Sequence, residues 1–356
     1  MKGIILHGGR GTRLRPLTHT GPKQLIPVAN KPISQYGLEN LRDAGVKEIA
    51  IILGDVAPER VVECYGDGQR FDVKITYVKQ GDPKGIAHAV QLCEDFVGNE
   101  SFIVYLGDNI LKGGIIGFAN TFQGSEFDSM VLLCKVKDPQ RFGVAGFNEG
   151  KLVRLVEKPK EPPSDYALVG IYFFKPVIFK AIRQLKLSWR GELEITEAIQ
   201  TLMDWGLNVG YDFVSEWWKD TGRPEDILEA NQFFLTDVEP SNLGTVEEGV
   251  TLDGKVSIDR GTIIRRGSTI RGPVIIGKNC EIGPEAYIGP YTSIGDGVVI
   301  RGGEVENSII MNNSTIECRR RIVDSLIGGY SKINSSGKSL PTGCRLVIGE
   351  NTLLSL

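Results

Sequence analysis

The sequence predicts two domains: an α/β domain built on a mixed, mainly parallel sheet, and a left-handed parallel β-helix. Two observations support this prediction. Strand-like apolar runs alternate with helical patterns over residues 1–238, and apolar residues recur every six positions in residues 249–356. Strand–helix alternation is typical of a parallel sheet with helices on both faces, and a six-residue repeat is typical of stacked β-helix coils. The segment VEPSNLGTVEEG (238–249) is the predicted linker.

The first domain has the elements that such a sheet requires. Three segments repeat apolar residues with helical spacing and begin at Ile33, Ile86 and Ile195. Ligands of parallel sheets bind beyond the carboxyl ends of the strands. The loop after the first strand and the sequence LGDN (106–109) are therefore expected to meet there. The predicted buried strands lie at 3–6, 49–53, 102–106, 130–134 and 168–174.

The second domain is predicted from a repeat without exception. Nine apolar residues stand six apart from Leu252 to Ile300, and the residue two places before each is small or β-branched. Each strand of such a repeat is too short to bury its own face, so stacked coils share one core. The repeat slips after Ile300 and resumes at Ile310, which predicts a loop around 302–308.

Composition excludes several classes of protein. The 356 residues are 41% apolar and 24% charged, with a net charge of −3, which argues against a disordered chain or a nucleic-acid-coating surface. No apolar run approaches the roughly 20 residues of a membrane span, and the N-terminal one ends at His7, so neither membrane insertion nor a signal peptide is predicted. No C-x-x-C pair occurs, so we expect reduced thiols and a cytoplasmic protein. The cysteines are Cys64, Cys93, Cys134, Cys280, Cys318 and Cys344.

The stretch LHGGRGTRLRPLTHTGPKQLIPVANKP (6–32) follows the first predicted strand. It holds five Arg and Lys residues and no acidic residue. Glycines let backbone N–H groups approach an anion, and Arg and Lys neutralise it, so this segment predicts a phosphate site. It is not a Walker A loop, and it is not a dinucleotide fingerprint, because Leu14 occupies the third glycine position.

The motif G-G-x-G-T-R-L-x-P-L-T followed by P-K-Q-L-I-P-V resembles the opening of the sugar-nucleotidyltransferases. The resemblance spans the whole chain and is strongest to the branch that transfers a thymidylyl group to glucose 1-phosphate and carries a C-terminal β-helix. It implies a Rossmann-like first domain and a Mg²⁺-dependent reaction that joins glucose 1-phosphate to the α-phosphate of dTTP, giving dTDP-glucose and pyrophosphate. A sugar phosphate is mostly dianionic at pH 7, so its attack needs no general base.

The resemblance also implies roles for individual residues. Asp108 in LGDN and Asp220 in WWKDTG are expected to hold Mg²⁺, Arg13 to neutralise the leaving pyrophosphate, and Lys23 to bind the reacting phosphates. His7 is expected to be a packed histidine at a strand end. The expected substrate-binding residues are Gly8, Gly9, Gly11 and Thr12 for the triphosphate, Gln80 and Gly85 for the base, and Gly143, Glu157, Lys158, Val169, Gly170 and Trp217 for the sugar side. Leu6 and Gln24 are expected to bind substrate as well.

Three alternatives remain open on the sequence. UTP presents the same imide edge to Gln80 as dTTP, an amino-sugar 1-phosphate differs from glucose 1-phosphate by one group, and a non-catalytic nucleotide-sugar-binding subunit would share the fold. For the β-helix, no histidine lies beyond His88, which excludes a histidine-dependent acetyltransferase. Homo-oligomer formation and packing against the catalytic domain both remain possible roles. No nucleic-acid or membrane partner is expected.

Overall fold

The computed structural model describes residues 1–334 and residue 352. Cys344 and the rest of the predicted second domain beyond residue 334 lie outside the described residues. The chain forms two compact units. The first, the sheet unit, consists of Met1–Gly11, Thr18–Leu25 and Ile33–Asp220. The second, the β-helix unit, consists of Thr12–Leu17, Ile26–Pro32 and the described residues from Thr221 onward.

The elements before the β-helix alternate as predicted. The strands are β1 (Lys2–His7), β2 (Pro27–Val28), β3 (Lys31–Pro32), β4 (Glu48–Leu53), β5 (Lys74–Lys79), β6 (Phe102–Leu106), β7 (Asn109–Leu111), β8 (Ser129–Lys135), β9 (Gly143–Asn148), β10 (Lys151–Glu157), β11 (Tyr166–Phe174), β12 (Val209–Phe213) and β13 (Trp218–Asp220). The helices are α1 (Ile33–Asp43), α2 (Pro58–Tyr65), α3 (Ile86–Gln91), α4 (Glu94–Val97), α5 (Ile116–Gln123), α6 (Ile178–Ile182), α7 (Ile195–Asp204) and α8 (Pro224–Leu235).

The sheet unit is built on a mixed sheet, which confirms the predicted fold class. Its main path runs β10-β9-β11-β6-β1-β4-β5, and β8 joins β11 to β12. The strands β6, β1, β4 and β5 are parallel to one another, whereas β11 is antiparallel to β6, β8 and β9. Alternate residues of a strand face opposite sides of a sheet. Ile4 and Leu6 accordingly belong to one buried cluster, and Ile5 belongs to the other.

The strands of the β-helix follow α8 in three parallel stacks. They are β14 (Ser241–Asn242), β15 (Thr245–Val246), β16 (Thr251–Asp253), β17 (Val256–Ile258), β18 (Ile263–Ile264), β19 (Thr269–Arg271), β20 (Val274–Ile276), β21 (Glu281–Ile282), β22 (Tyr287–Ile288), β23 (Thr292–Ile294), β24 (Val299–Ile300), β25 (Glu304–Glu306), β26 (Ile309–Ile310), β27 (Thr315–Glu317), β28 (Arg321–Val323), β29 (Leu326–Ile327) and β30 (Lys332–Asn334). Every third strand pairs, so that Ile258, Ile276 and Ile294 stand in register.

The repeating isoleucines form the β-helix core, with two departures from the prediction. Leu252 is 40% exposed, because β16 is the first strand of its stack and no coil covers it from below. The loop predicted around 302–308 is wrong: β25 lies there, and buried Val305 pairs with Ile288 and Ile322. The spacing shortens to five residues at this coil, so a strict six-residue count passes over a strand.

Two further predictions concern the cysteines and membrane-spanning helices. Five of the six cysteines lie in the described residues, and all five are free thiols. Among the residues that the structure describes, no helix has the length and apolar character required to cross a bilayer.

Candidate active site

The carboxyl ends of β1 and β6 lie side by side. These strands are parallel neighbours with Leu6 opposite Leu106, and the Gly107 N–H donates to the Leu6 carbonyl over 3.0 Å. The opening loop and the LGDN turn therefore start from adjacent positions on one edge of the sheet, as the sequence predicted. Leu6 itself is 6% exposed and belongs to the core.

Gly8 is fitted between two glutamines. A Cβ at Gly8 would lie 2.8 Å from Gln80 Oε1, and the Gly8 carbonyl accepts a hydrogen bond from Gln24 Nε2 over 3.0 Å. Both glutamine side chains are buried. The predicted triphosphate and base residues thus meet at one glycine, because only a residue without a side chain admits the Gln80 carboxamide so close.

The rest of the glycine loop turns through the left-handed region. Gly9 and Gly11 have φ of 90° and 58°, and Thr18 Oγ1 closes the turn by donating to the Gly11 carbonyl over 2.8 Å. Thr12 and Arg13 follow in a one-turn 3₁₀ helix and are exposed. They belong to the β-helix unit, whereas Gly8, Gly9 and Gly11 belong to the sheet unit.

Lys23 and Asp108 form a direct ion pair. Burial by itself would raise the pKa of the Asp108 carboxyl. The Lys23 charge and hydrogen bond, together with a bond donated by Asn109 Nδ2 over 3.1 Å, outweigh burial and hold this pKa below its usual value. The site therefore keeps an ionised carboxylate beside an ammonium at the end of β6.

Asp220 reaches the same place from a distant part of the chain. Strand β13 pairs antiparallel with β7, which sets Asp220 opposite Asn109, the residue after Asp108. Trp218 Nε1 donates to Asn109 Oδ1 over 2.8 Å and fixes this pairing. Both predicted metal carboxylates thus stand on neighbouring backbone positions. In residues 1–334 and 352, no cluster of three or more His, Cys, Asp or Glu is placed to hold a metal.

The predicted base residues lie along the end of β5. The Gln80 N–H donates to the Leu53 carbonyl over 3.0 Å and prolongs the β4–β5 pairing. Gly85 has φ of 98°, and a Cβ there would lie 2.5 Å from the Leu193 carbonyl oxygen. The Leu193 N–H in turn donates to the Lys84 carbonyl over 2.7 Å. The glycine is required by the backbone of Leu193, a reason that the motif alone did not reveal.

The predicted sugar-phosphate residues meet at the end of β10. Glu157 pairs with Gly143 of β9, and a Cβ at Gly143 would lie 3.2 Å from Glu157 Oε2. Lys158 follows with φ of 41°, and its Nζ lies 3.9 Å from Glu157 Oε1. A cavity of about 550 Å³ opens beside Glu157, between β10 and α7.

Two partners of Glu157 were missed from the sequence. Arg190 donates to Glu157 Oε1, and Thr196 Oγ1 donates to Glu157 Oε2, each over 3.3 Å. Arg190 also pairs with Glu192 and with buried Glu194. Burial, followed by the nearby Glu194 charge, raises the pKa of Glu157 despite the cations. The only available signal was the charge pattern of RGELEITE (190–197), one arginine followed by three glutamates.

The other residues of the predicted sugar side, Val169, Gly170 and Trp217, lie in different surroundings. Val169 is fully buried in β11, where pairing with β8 shifts between Leu168 and Tyr172. Gly170 lies within this irregularity with φ of 78°. Trp217 is half-buried and its carbonyl accepts the Lys112 N–H over 3.0 Å.

His7 is a packed histidine, as predicted. It is 2% exposed, and burial lowers its pKa to about 3 against the smaller opposing effect of Asp108. The imidazole is therefore neutral at physiological pH and adds no positive charge to the loop.

The sheet unit thus presents an ionised Asp108 paired with Lys23, and a second acidic residue, Asp220, opposite Asn109. Lys23 also lies beside the glycine loop, since a Cβ at Gly11 would lie 3.3 Å from its Cβ. A glycine loop with a lysine binds phosphates, and two carboxylates can hold one hard cation whose other ligands are phosphate oxygens and water. The arrangement suits phosphoryl-group chemistry, because it offers charge neutralisation and positioning.

The comparisons with known proteins agree with this geometry. Residues 2–237 match the model of the nucleotidyl transferase family, and residues 270–352 match that of the GMPPB C-terminal domain. The chain is 50% identical to the low-salt glycan biosynthesis nucleotidyltransferase Agl11 of Haloferax volcanii over 100% of both chains. It is 45% identical to a glucose-1-phosphate thymidylyltransferase of Streptomyces antibioticus, over 100% of this chain and 99% of the relative.

A solved structure shows the same first domain. It is a Bacillus anthracis protein described as a glucose-1-phosphate thymidylyltransferase, in complex with sucrose. It superposes with a TM-score of 0.63 at 41% identity and covers 68% of this chain and 98% of its own. From the fold, the loop, the paired carboxylates and these relatives, the chain belongs to the nucleotidyltransferase family.

Proposed function

We propose that this protein transfers the thymidylyl group of dTTP to glucose 1-phosphate, with Mg²⁺, giving dTDP-glucose and pyrophosphate. The observation that carries the proposal is the Lys23–Asp108 ion pair with Asp220 on the paired strand, beside the glycine loop. The specific substrates are supported by a full-length relative that is named glucose-1-phosphate thymidylyltransferase. We also propose a cytoplasmic location and a homo-oligomer.

The reaction requires positioning more than acid–base chemistry. An oxygen of the dianionic sugar phosphate attacks the α-phosphorus of dTTP, a new P–O bond forms, and the bond to the β-phosphate breaks as pyrophosphate leaves with the electron pair. Lys23 neutralises charge at the reacting phosphates, and Arg13 neutralises the leaving pyrophosphate. The neutral, buried His7 is not placed to act as a base, since its imidazole is enclosed in the core.

The residues present fit a magnesium site. Asp108 and Asp220 would hold the ion, which prefers carboxylate oxygen and commonly binds through one or two carboxylates and the substrate phosphates. When bound, Mg²⁺ supplies neutralisation of the triphosphate charge. In this role the depressed pKa of Asp108 keeps the carboxylate ionised and able to bind a cation.

The residues around Gln80 and those around Glu157 are proposed to bind the two other parts of the substrates, the base and the sugar phosphate. Gln80 is proposed to pair with the imide edge of thymine through one donor and one acceptor, next to Gly85. Glu157 is proposed to accept hydrogen bonds from sugar hydroxyls, and Lys158 to pair with the sugar phosphate. Gly143, Val169 and Trp217 complete the proposed sugar side, and Leu6, Gly8, Gly9, Gly11, Thr12 and Gln24 the triphosphate side.

The test is pyrophosphate release with Mg²⁺, with dTTP and UTP crossed against glucose 1-phosphate and glucosamine 1-phosphate. The proposal expects the highest kcat/KM with dTTP and glucose 1-phosphate. A higher kcat/KM with UTP or with the amino sugar would replace the nucleotide or sugar but keep the reaction. No release from any pair, with nucleotide binding retained, would support a non-catalytic subunit.

A further inference from the structure

The segment after Lys23 forms a hairpin whose turn is strained. Strands β2 and β3 are joined by Ala29 and Asn30, which have φ of 47° and 60°. Left-handed backbone is unfavourable for a residue with a side chain, and it persists where the surroundings enforce it. The conformation of this turn therefore depends on contacts that hold it in place.

A buried amide of α8 holds it. Asn231 is fully buried, and its Oδ1 accepts hydrogen bonds from the Ala29 N–H over 2.9 Å and from Ser293 Oγ over 2.6 Å. Its Nδ2 donates to the Tyr291 carbonyl over 3.0 Å. One side chain thus joins the hairpin turn to coil 291–294 of the β-helix, and every polar atom of the amide is used.

A second hydrogen bond ties the same turn to the same coil. Asn30 Nδ2 donates to the Ile294 carbonyl over 2.7 Å, at the end of β23. Because any shift of the turn would leave a polar atom of the buried Asn231 amide unpaired, these hydrogen bonds favour a single arrangement. The hairpin is therefore fastened at two successive residues to the β-helix.

The first half of the opening motif also rests on the β-helix. A Cβ at Gly328, just after β29, would lie 3.2 Å from Leu17 Cδ2, so this glycine gives room to the leucine. Segments Thr12–Leu17 and Ile26–Pro32 both belong to the compact β-helix unit. These two segments contain Arg13 and flank Lys23 in sequence.

We infer that the β-helix supports the two motif segments that belong to its own unit, with Asn231 as a positioning residue for the hairpin that follows Lys23 in the chain. Only Gln24 and Leu25 lie between Lys23 and Ile26, the first residue of the segment Ile26–Pro32, so fixing this segment restricts the chain at the lysine. Holding a catalytic group in its productive geometry before the substrate arrives raises the rate of the chemical step. The inference rests on the proposed function where it assigns Lys23 to the reacting phosphates.

The test combines hydrogen exchange with steady-state kinetics on the full-length protein. Asn231→Ala and Asn30→Gly should each accelerate amide exchange in residues 26–32 and lower kcat roughly tenfold, with the KM for dTTP changed less than threefold. Glycine accepts positive φ, so Asn30→Gly removes the side-chain bond without straining the turn and tests the idea even if Asn231→Ala fails to fold. Asn231→Asp keeps the acceptor for Ala29 and should recover part of the lost kcat.

Gln232→Ala is the matched control. Gln232 is the next residue on α8, and its Nε2 donates to Asn307 Oδ1 of the β-helix over 2.8 Å, away from the hairpin. It should leave both exchange in 26–32 and kcat within twofold of wild type. Unchanged exchange in the Asn231 and Asn30 variants would overturn the anchor, and faster exchange with unchanged kcat would overturn the positioning role. A wild-type protein without nucleotidyl transfer would instead refute the proposed function, and the exchange result would still decide whether the anchor exists.

Discussion

Asp108 and Glu157, two carboxyl groups of the sheet unit, both lie beside cations, and yet their pKa values are shifted in opposite directions. Asp108 has one direct partner, Lys23, and its pKa falls below the ordinary value although burial opposes this. Glu157 shares Arg190 with Glu192 and Glu194, and its pKa rises above the ordinary value. Burial, followed by the nearby Glu194 charge, raises the pKa of Glu157, and the cations beside it do not outweigh this effect.

The opposite pKa shifts suit Asp108 and Glu157 to different roles. A carboxylate that stays ionised is ready to bind a metal ion, whereas the raised pKa of Glu157 makes its strength as a hydrogen-bond acceptor depend on pH.

Removing the charge of Asp108 should have the largest effect. Asp108→Asn is expected to lower kcat roughly 10³-fold, because the Mg²⁺ ligand is lost and an electrostatic contact at the reacting phosphates goes with it. Pyrophosphate release at saturating Mg²⁺ measures it. Asp55→Asn is the control: Asp55 forms an exposed ion pair with Arg10 and should lose less than twofold. A loss below tenfold for Asp108→Asn would contradict its metal role.

Removing Lys23, the partner of Asp108, should lower activity somewhat less. Lys23→Ala is expected to lower kcat/KM roughly 10²-fold, since the reacting phosphates lose one neutralising charge while Asp108 remains. Circular dichroism should show that the fold survives. Lys84→Ala removes an exposed lysine and serves as the control. Unchanged kcat/KM would remove Lys23 from the mechanism.

Glu157→Gln should act mainly on the sugar side. The KM for glucose 1-phosphate is expected to rise about tenfold, with the KM for dTTP nearly constant, because one charged acceptor becomes a neutral amide. The pH profile gives the sharper reading. The raised pKa means that wild-type Glu157 is protonated as pH falls at values where an ordinary glutamate is still ionised, so sugar binding weakens there first.

In Glu157→Gln this acid limb should disappear. Both proteins are measured with the same substrate, so titration of the sugar phosphate cancels in the ratio of the two profiles. An acid limb that persists unchanged in the variant belongs to another group and would remove Glu157 from sugar binding.

The smallest expected effect is a shift in the acid limb of the pH profile that Glu157 produces. Arg190→Gln keeps hydrogen-bonding capacity but removes a charge that lowers the pKa of Glu157. The pKa should rise further, so the acid limb of kcat/KM should move to higher pH, with only a few-fold loss at neutral pH. Arg183→Gln, in an exposed pair with Glu94, should leave the profile in place. A shift to lower pH would contradict the assigned direction.

Local sequence determined much of this protein. The isoleucine repeat predicted the β-helix because each coil adds the same inward position, and Ile258, Ile276 and Ile294 stand in register as that period requires. The apolar run at 3–6 and the glycines after it predicted a strand followed by an anion loop. Such features depend on neighbours in the chain, so they can be read without the fold.

Other features were decided by tertiary structure. Trp218 and Asn109 are 109 residues apart, and only strand pairing brings Asp220 to the Asp108 turn. Arg190 was missed because an arginine among glutamates gives no sign of which carboxylate it will face. The shortened coil at Val305 hid a strand from a six-residue count.

The hairpin at 26–32 shows most clearly what the sequence alone does not reveal. Its sequence contains no glycine at the turn, yet Ala29 and Asn30 adopt positive φ because Asn231, 202 residues beyond Ala29, and the Ile294 carbonyl hold them there. The sequence determined the periodic core and the phosphate motif, since short-range sterics and hydrophobic spacing specify both. Tertiary structure decided which carboxylate titrates low, which glycine is indispensable and what supports the lysine, because those properties belong to contacts between distant segments.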